Sequence, residues 1–291
     1  MDLLHLKYFQ TVARTEHITE AAKMLHMAQP ALSMIISKLE AELGVPLFDR
    51  VGRQIRLNEQ GRIYLQRVNA ALDSLEEGRR ELSAWAGVEE KQVSLAVQSL
   101  SELSNVLSPF LKQYPDVQFK IMQASTEEEK LQLLERNEID FFLTNEMMST
   151  KDVVHVKLAT DELMIAVPPG HRLAGSSRIS LTEVAKDGFI TLKPGYYYRK
   201  LTDEYCRIAG VDPNIVCEGD EPAAICGLIK SGLGIAFLPS RSSVENPALT
   251  YLHIDQLDCR ITYYLAWKKE RYLSRVAQIF REYVIQHFSA I

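Results

Sequence analysis

ITEAAKMLHMAQPALSMIISKLEAELGVPLFDR, residues Ile18 to Arg50, carries two apolar stripes at helical spacing, separated by a short break. In the first helix, Thr19 to His26, residues Ala21, Ala22 and Leu25 share one face, and side chains this small let a second helix cross closely. The break falls at Met27 and Ala28. Gln29 and Pro30 open the next helix, with proline in the first turn, where its missing N–H costs nothing. Leu32, Ile35 or Ile36, Leu39 and Leu43 form its buried stripe, and Gly44 ends it. Gln29, Pro30, Ala31, Ser33, Met34, Ser37 and Lys38 remain for the outer face, with side chains of a size suited to a DNA major groove. The pattern by itself fits a helix-turn-helix and an ordinary amphipathic helix pair about equally.

Outward from this stretch, Leu3, Leu6, Phe9 and Val12 or Ala13 make a helical stripe that backs the pair. On the other side, DRVGRQIRLN sets Gly52 at a tight turn between two short arms, which reads as a wing. The wing carries Arg50, Arg53 and Arg56, placed to follow phosphates or enter a minor groove. Arg62 and Arg67 extend the basic strip but read better as a solvated helix face. The net charge of the whole chain is −5, so a basic strip confined to one end favours a limited footprint on nucleic acid.

AAKMLHMAQPALS followed by KLEAELGVPLFDRVGRQIRLNEQG resembles the amino-terminal signature of the LysR-type transcriptional regulators. The similarity is dense over roughly the first 65 residues and continues as a weaker pattern to the end. It implies a sequence-specific regulator that binds double-stranded DNA and answers to a small-molecule effector. Many members carry Arg and Gln after the motif serine, where this chain has Met34 and Ile35, so fewer side chains there can make paired hydrogen bonds to guanine or adenine edges.

Asn58 is a good helix N-cap, and residues 59–86 run without a break apart from Gly61 and Gly78. Such a helix is ~40 Å long. Tyr64, Val68, Ala71, Leu75, Gly78, Leu82 and Trp85 alternate in steps of four and three, a heptad seam that must be buried on something. The alternatives are its own chain or a second subunit. The resemblance implies the second: a homodimer that assembles to a homotetramer, presenting recognition helices to successive turns of DNA and acting on RNA polymerase.

Gly87 to Lys91 reads as a hinge, separating a winged domain (1–58) and linker helix (59–86) from the larger, carboxyl-terminal part of the chain. From Gln92 onward strands alternate with helices: VSLAV, QFKIM, IDFFLT, LMIAVP, GFITL, NIVCE, GIAFLP and ITYYLAW, with helices over 103–114, 127–136, 181–185, 201–208, 223–230 and 274–287. That alternation predicts parallel sheets with covering helices. The fold class is therefore α followed by α/β, and the resemblance implies a two-lobed periplasmic-binding-protein-like effector domain. Lobe I is expected over 92–161 and 268–291, and lobe II over 162–267.

Ligands of such sheets sit beyond the carboxyl ends of strands. Ser99, Leu100, Ser101, Thr126, Thr144, Asn145, Lys193 and Glu221 occupy those positions, although Ser and Thr are equally ordinary helix caps. Thr126 with Glu129 and Ser180 with Glu183 have capping-box spacing. Lys193 is the one cation among these candidates, so a small carboxylate held by Lys193 and the Ser99–Ser101 turn is the first expectation, and a zwitterionic or amine-bearing ligand the second.

Composition, 46% hydrophobic and 24% charged, is that of a globular chain long enough for two or three domains. No apolar run reaches membrane-spanning length and the start MDLLHLKYF lacks a signal-peptide pattern, so a cytoplasmic protein is expected. The same feature and the first 86 residues disfavour the rival reading as a solute-binding protein for transport. No HExxH, GxSxG or P-loop occurs, GLG at Gly232–Gly234 is too short for a dinucleotide fingerprint, and no enzyme or resident cofactor is expected. Cys206, Cys217, Cys226 and Cys259 form no CxxC pair and read as buried thiols, with no metal site. Peroxide-sensing relatives carry a reactive cysteine two residues after a glycine; here the resemblance sets Tyr197 at that position and Cys206 at the resolving one. Thiol sensing thus remains an alternative through Cys217 or Cys226.

Overall fold

The computed structural model describes residues 2–51, 54–86, 91–99, 103–148 and 150–289. The chain divides into two compact units at Val88 and Glu89. In the first, α1 (Leu3–Thr15), α2 (Ile18–Met24) and α3 (Gln29–Leu43) precede the antiparallel hairpin β1 (Phe48–Val51) and β2 (Gln54–Leu57), and α4 (Glu59–Trp85) follows. Phe9, Val12, Ala21, Ala22, Leu32, Ile36, Leu39 and Leu47 make one core, which settles the choice between Ile35 and Ile36 for Ile36. α2 ends at Met24, earlier than the pattern predicts, and His26 takes a left-handed φ of 52°. Leu25 and Met27 still pack on the core after the backbone has left the helix, so apolar spacing overstates its length.

Two glycines are required by geometry. Gly44 ends α3 at φ 74°, a conformation that only glycine adopts without steric cost. At Gly61 a Cβ would come within 2.1 Å of the Leu47 carbonyl oxygen, so α4 can approach the wing's root only there. Asn58 ties the same junction: its Oδ1 accepts the Gly61 N–H at 2.8 Å and its Nδ2 donates to the Pro46 carbonyl at 3.1 Å.

The second unit runs β3 (Gln92–Val97), α5 (Ser104–Gln113), β4 (Gln118–Gln123), α6 (Glu127–Glu135), β5 (Phe141–Thr144), β6 (Val153–Val167), β7 (Arg178–Ile179), β8 (Gly188–Leu192), α7 (Tyr197–Ile208), β9 (Asn214–Gly219), α8 (Pro222–Lys230), β10 (Ala236–Pro239), α9 (Ser242–Glu245), β11 (Thr250–Ile254), β12 (Arg260–Lys268) and α10 (Arg275–Ser289). Lobe I has the strand order β4-β3-β5-β12-β6. β3 is parallel to β4 and β5, but β12 is antiparallel to β5 and β6. In lobe II, β6 continues antiparallel to β10 and β11, and β8 pairs in parallel with β9. The expectation of parallel sheets holds for β3, β4 and β5 and for β8 with β9, and is corrected at the crossing strands: the chain crosses between lobes on β6 and returns on β12, and the return is antiparallel.

Three further expectations change. Residues 181–185 form a short 3-10 turn, Leu181–Val184, behind the Ser180–Glu183 capping box. α7 starts at Tyr197 rather than Leu201. β12 changes lobe near its bulge at Tyr263 and Tyr264, before residue 268, because Ile261 packs in the lobe II core whereas Leu265 packs in the lobe I core. Lobe I is closed by α10, whose Ala277, Phe280 and Val284 join Leu95, Phe110 and Phe141. A buried ion pair pins this closure: Arg271 Nη2 lies 2.8 Å from Asp140 Oδ1, while Asp140 Oδ2 accepts the Ser94 N–H at 2.8 Å.

Candidate DNA interface and effector cleft

On α3, Gln29, Pro30, Met34, Ser37 and Lys38 are exposed, and Ala31 and Ser33 are half-buried beside them. Met34 is 69% exposed, an apolar side chain presented on the outer face opposite Leu32, Ile36 and Leu39. Ala28, the N-cap, gives no side-chain hydrogen bond to the first turn of this 15-residue helix; Pro30 has no N–H to satisfy, and the Ala31 N–H goes to the Ala28 carbonyl at 3.0 Å. Both ends of the wing are fixed to the helical core. Glu40 Oε1 accepts the N–H groups of Leu47 and Phe48 at 2.7 and 3.2 Å, and Glu16 Oε1 accepts that of Leu57 at 2.8 Å. Arg50 stands on β1 opposite Ile55, and exposed Arg56 stands on β2 opposite Asp49. Arg53 lies outside the described residues. Arg62 spends its guanidinium on the Leu57 carbonyl at 3.0 Å, whereas Arg67 is exposed.

The seam on α4 is not continuous. Val68 is buried in the winged domain's core and is corrected from a dimer contact to an intrachain one, whereas Tyr64, half-buried, packs on Phe9 with ring centroids 5.3 Å apart. α1 lies against this half of the helix and consumes it, together with Leu65 and Leu72. Beyond them Ala71, Leu75, Leu82 and Trp85 are exposed, Trp85 by 92%.

In the second unit the candidate cleft residues have internal partners. Ser99 is buried, and its Oγ donates across the lobes to Glu221 Oε1 at 3.3 Å. Glu221 also caps α8 through the Ala223 N–H at 3.1 Å. A second bond between the lobes joins Asn105 Nδ2 to Glu245 Oε1 at 3.1 Å. Thr126 forms the capping box with Glu129, whose carboxyl is held below the usual range by the backbone N–H groups of Ser125 and Thr126. Thr144 is buried, accepting from Lys130 Nζ and the Glu146 N–H, both at 3.1 Å, and Asn145 Nδ2 donates to the Thr262 carbonyl at 3.3 Å. Leu100 and Ser101 lie outside the described residues.

Lys193 does not stand alone. It is exposed and bonded to Asp220 at 3.1 Å, which raises the lysine's pKa and lowers the aspartate's. The expectation that Lys193 is the one cation of the cleft is corrected by Lys130, which α6 buries beside Thr144. Reading only the residues directly after strands misses Lys130, because it lies one turn into the helix behind its capping box.

Cys206 and Cys259 are buried, and burial pushes their thiols to about 11 and about 12. A thiol so seldom ionised is a poor nucleophile for peroxide. A cavity of about 20 Å³ under β8, lined by Phe189, Tyr198, Cys206 and Phe237 among others, has room for one water and lies in the lobe II core. Among the described residues no cluster of three metal-ligating side chains occurs, and no helix is long and apolar enough to cross a membrane.

Residues 3–62 match the family model of the bacterial regulatory helix-turn-helix protein, lysR family, and residues 87–289 match that of the LysR substrate binding domain. An uncharacterised HTH-type transcriptional regulator of Bacillus subtilis, YybE, is 39% identical over 99% of this chain and 100% of its own. The transcriptional dual regulator GltC of the same organism is 32% identical over 100% of this chain and 99% of its own. Among solved structures, that of CbnR, a LysR family transcriptional regulator, superposes with a TM-score of 0.67 at 21% identity, covering 98% of this chain and 99% of that one. The winged helix-turn-helix, the linker helix and the two-lobed α/β domain thus occur together in one chain that belongs to the LysR family of DNA-binding transcriptional regulators.

Proposed function

We propose that the chain works in the cytoplasm as a homodimer that assembles to a homotetramer and holds promoter DNA through paired winged domains. α3 reads base edges through Gln29, Ser33 and Met34, and the wing follows phosphates. The exposed stripe of Leu75, Leu82 and Trp85 supplies the dimer contact. A small effector, bound beyond the strand ends without any resident cofactor, closes the lobes, alters the angle between DNA-binding pairs, and so alters DNA bending and access of RNA polymerase.

The observation that carries this reading is that, among the described residues, the side-chain hydrogen bonds between the lobes away from the crossing strands are Ser99–Glu221 and Asn105–Glu245. Ser99–Glu221 and Asn105–Glu245 are single side-chain bonds, each worth about 0.5–3 kcal/mol net, within reach of a ligand's differential affinity for two lobe arrangements. The test is a thermal-shift screen of a metabolite library on the full chain, followed by DNA footprinting with each compound that raises the melting temperature. A compound that stabilises the protein and moves the footprint supports the reading. A library without one, with a footprint indifferent to every compound, removes it.

A further inference from the structure

The wing is a hairpin of two four-residue strands, and a two-stranded ribbon that short does not hold itself in water. Its position comes from the residues at its root. Leu47 is 1% exposed and Leu57 9%, so their backbone groups need partners inside the protein. All of these groups have one. The Leu47 N–H donates to Glu40 Oε1 at 2.7 Å, and the Leu47 carbonyl accepts from the Asn58 N–H at 3.1 Å. The Leu57 N–H donates to Glu16 Oε1 at 2.8 Å, and the Leu57 carbonyl accepts from Arg62 Nη1 at 3.0 Å. Glu40 Oε1 accepts the Phe48 N–H as well, at 3.2 Å, and Phe48 is the register partner of Leu57. Charged side chains from α3, from the residue that ends α1 and from α4 thus grip the root of the hairpin.

Glu40 differs from the other two by its place on α3. At 3.6 residues per turn, Gln29, Ser33, Ser37 and Glu40 fall within about 80° of one another around the helix. Glu40 therefore shares its side of α3 with residues assigned to DNA. Gly44, at φ 74°, turns the chain back so that Leu47 and Phe48 return to the Glu40 carboxylate. On the other strand Arg56, exposed, immediately precedes the anchored Leu57. A carboxylate on this side of α3 would be repelled by phosphate, so contact with DNA is not what Glu40 offers. Its two backbone bonds offer a rigid link instead.

We propose that Glu40 is a positioning residue for DNA binding, locking the wing to the recognition helix so that Arg56 meets phosphate while α3 lies against the bases. Glu16 and Arg62 steady the second strand. This rests on the reading of the wing proposed above and adds that wing and helix bind as one body, so that the contact made by Arg56 depends on the carboxylate of Glu40. A hairpin released from Glu40 keeps its arginines, but must be ordered anew each time DNA binds, at the expense of affinity.

The full chain is titrated with two duplexes of equal length, one selected by the parent protein from a random-sequence pool and one scrambled. Affinities are measured across a salt series for the parent, Glu40→Ala, Glu40→Gln and Glu40→Asp, each alone and combined with Arg56→Ala. Alanine and glutamine remove the same charge, which by itself favours DNA, but only glutamine keeps an oxygen that can accept the Leu47 and Phe48 N–H groups. Glu40→Ala should therefore bind both duplexes about tenfold or more weaker than Glu40→Gln. Arg56→Ala should lower the salt slope by about 0.9 in the parent and in Glu40→Gln, and by less than about 0.3 in Glu40→Ala, whose wing has already lost that contact. Melting temperatures check folding; a merely stabilising carboxylate would shift them and leave the Arg56→Ala effect equal in every background. Glu40→Asp keeps the charge but withdraws it by one methylene, and should behave as alanine does, which keeps the test open should Glu40→Ala mispack. An Arg56→Ala effect in Glu40→Ala and Glu40→Asp equal to that in the parent overturns the proposal and leaves the reading of the wing intact. A parent slope that Arg56→Ala does not change overturns both.

Discussion

In the proposed reading Met34 and Arg56 would meet DNA through different chemistry, and their variants would separate accordingly. If α3 reads base edges as proposed, alanine at Gln29, Ser33 or Met34 should change preference at particular base pairs, by roughly 1–3 kcal/mol at each. Arg56→Ala should instead weaken specific and random DNA alike and reduce the salt slope by about 0.9, the share of one neutralised phosphate. Salt titrations on both kinds of DNA decide; an unchanged slope removes Arg56 from the interface. His155 offers a second residue-scale test. Its Nε2 accepts the Met148 N–H at 3.1 Å, which requires the neutral ring, and Phe142 and Tyr264 pack edge-on against it. Burial lowers its pKa below the ordinary 6.5. The folded state therefore favours the uncharged form: the contribution to stability is complete above about pH 6.5 and is lost as pH falls through the depressed folded value. Hydrogen exchange at Met148 should show protection falling on acidification in the parent and not in His155→Gln, whose amide oxygen can still accept. Equal pH dependence in both would remove His155 as the cause.

In the proposed reading α4 has two employments, core and dimer contact, and a pair of substitutions tells them apart. Val68→Ala opens a cavity inside the winged domain and should cost about 1.5–3 kcal/mol of stability without altering association. Leu75→Asp changes an exposed position, 55% accessible in the single chain, and should leave that domain's stability nearly unchanged while dissociating the dimer at low concentration. Sedimentation together with thermal unfolding of both variants checks the division; an intact dimer for Leu75→Asp would show that the seam is not the interface. The same helix shows what can be read from sequence. Periodicity marks positions that will be covered, and Val68 and Leu75 carry the same mark. Which surface covers them depends on α1 arriving over the first turns, a tertiary fact. In the second unit the long apolar runs were legible as strands, whereas the half-polar first part of β6, the two-residue β7 and β11 were not, since their pairing partners lie far away in sequence. The cleft was legible in outline because strand ends can be counted. Lys130 and the pairing of Lys193 with Asp220 were not, because neither can be derived from strand order.

At the scale of the molecule, the Asp140–Arg271 pair links the start of β5 to the turn before α10. Asp140→Asn would leave the Arg271 guanidinium buried without its counter-charge, and should lower the stability of lobe I by about 3–5 kcal/mol. Denaturant unfolding monitored through Trp267, which packs on the lobe I core, reads this directly; a midpoint equal to the parent's would show the pair to be dispensable. Because α10 supplies Ala277, Phe280 and Val284 to a core begun at Val93, lobe I is discontinuous, whereas most of lobe II is a single uninterrupted stretch. During synthesis the winged domain and lobe II thus precede α10, and lobe I stays unfinished until that helix has emerged. A nascent or prematurely terminated copy would carry a DNA-binding head on a sensor that cannot close, exposing apolar strands to chaperones and proteases. The closing helix makes synthesis through α10 a condition for a complete lobe I.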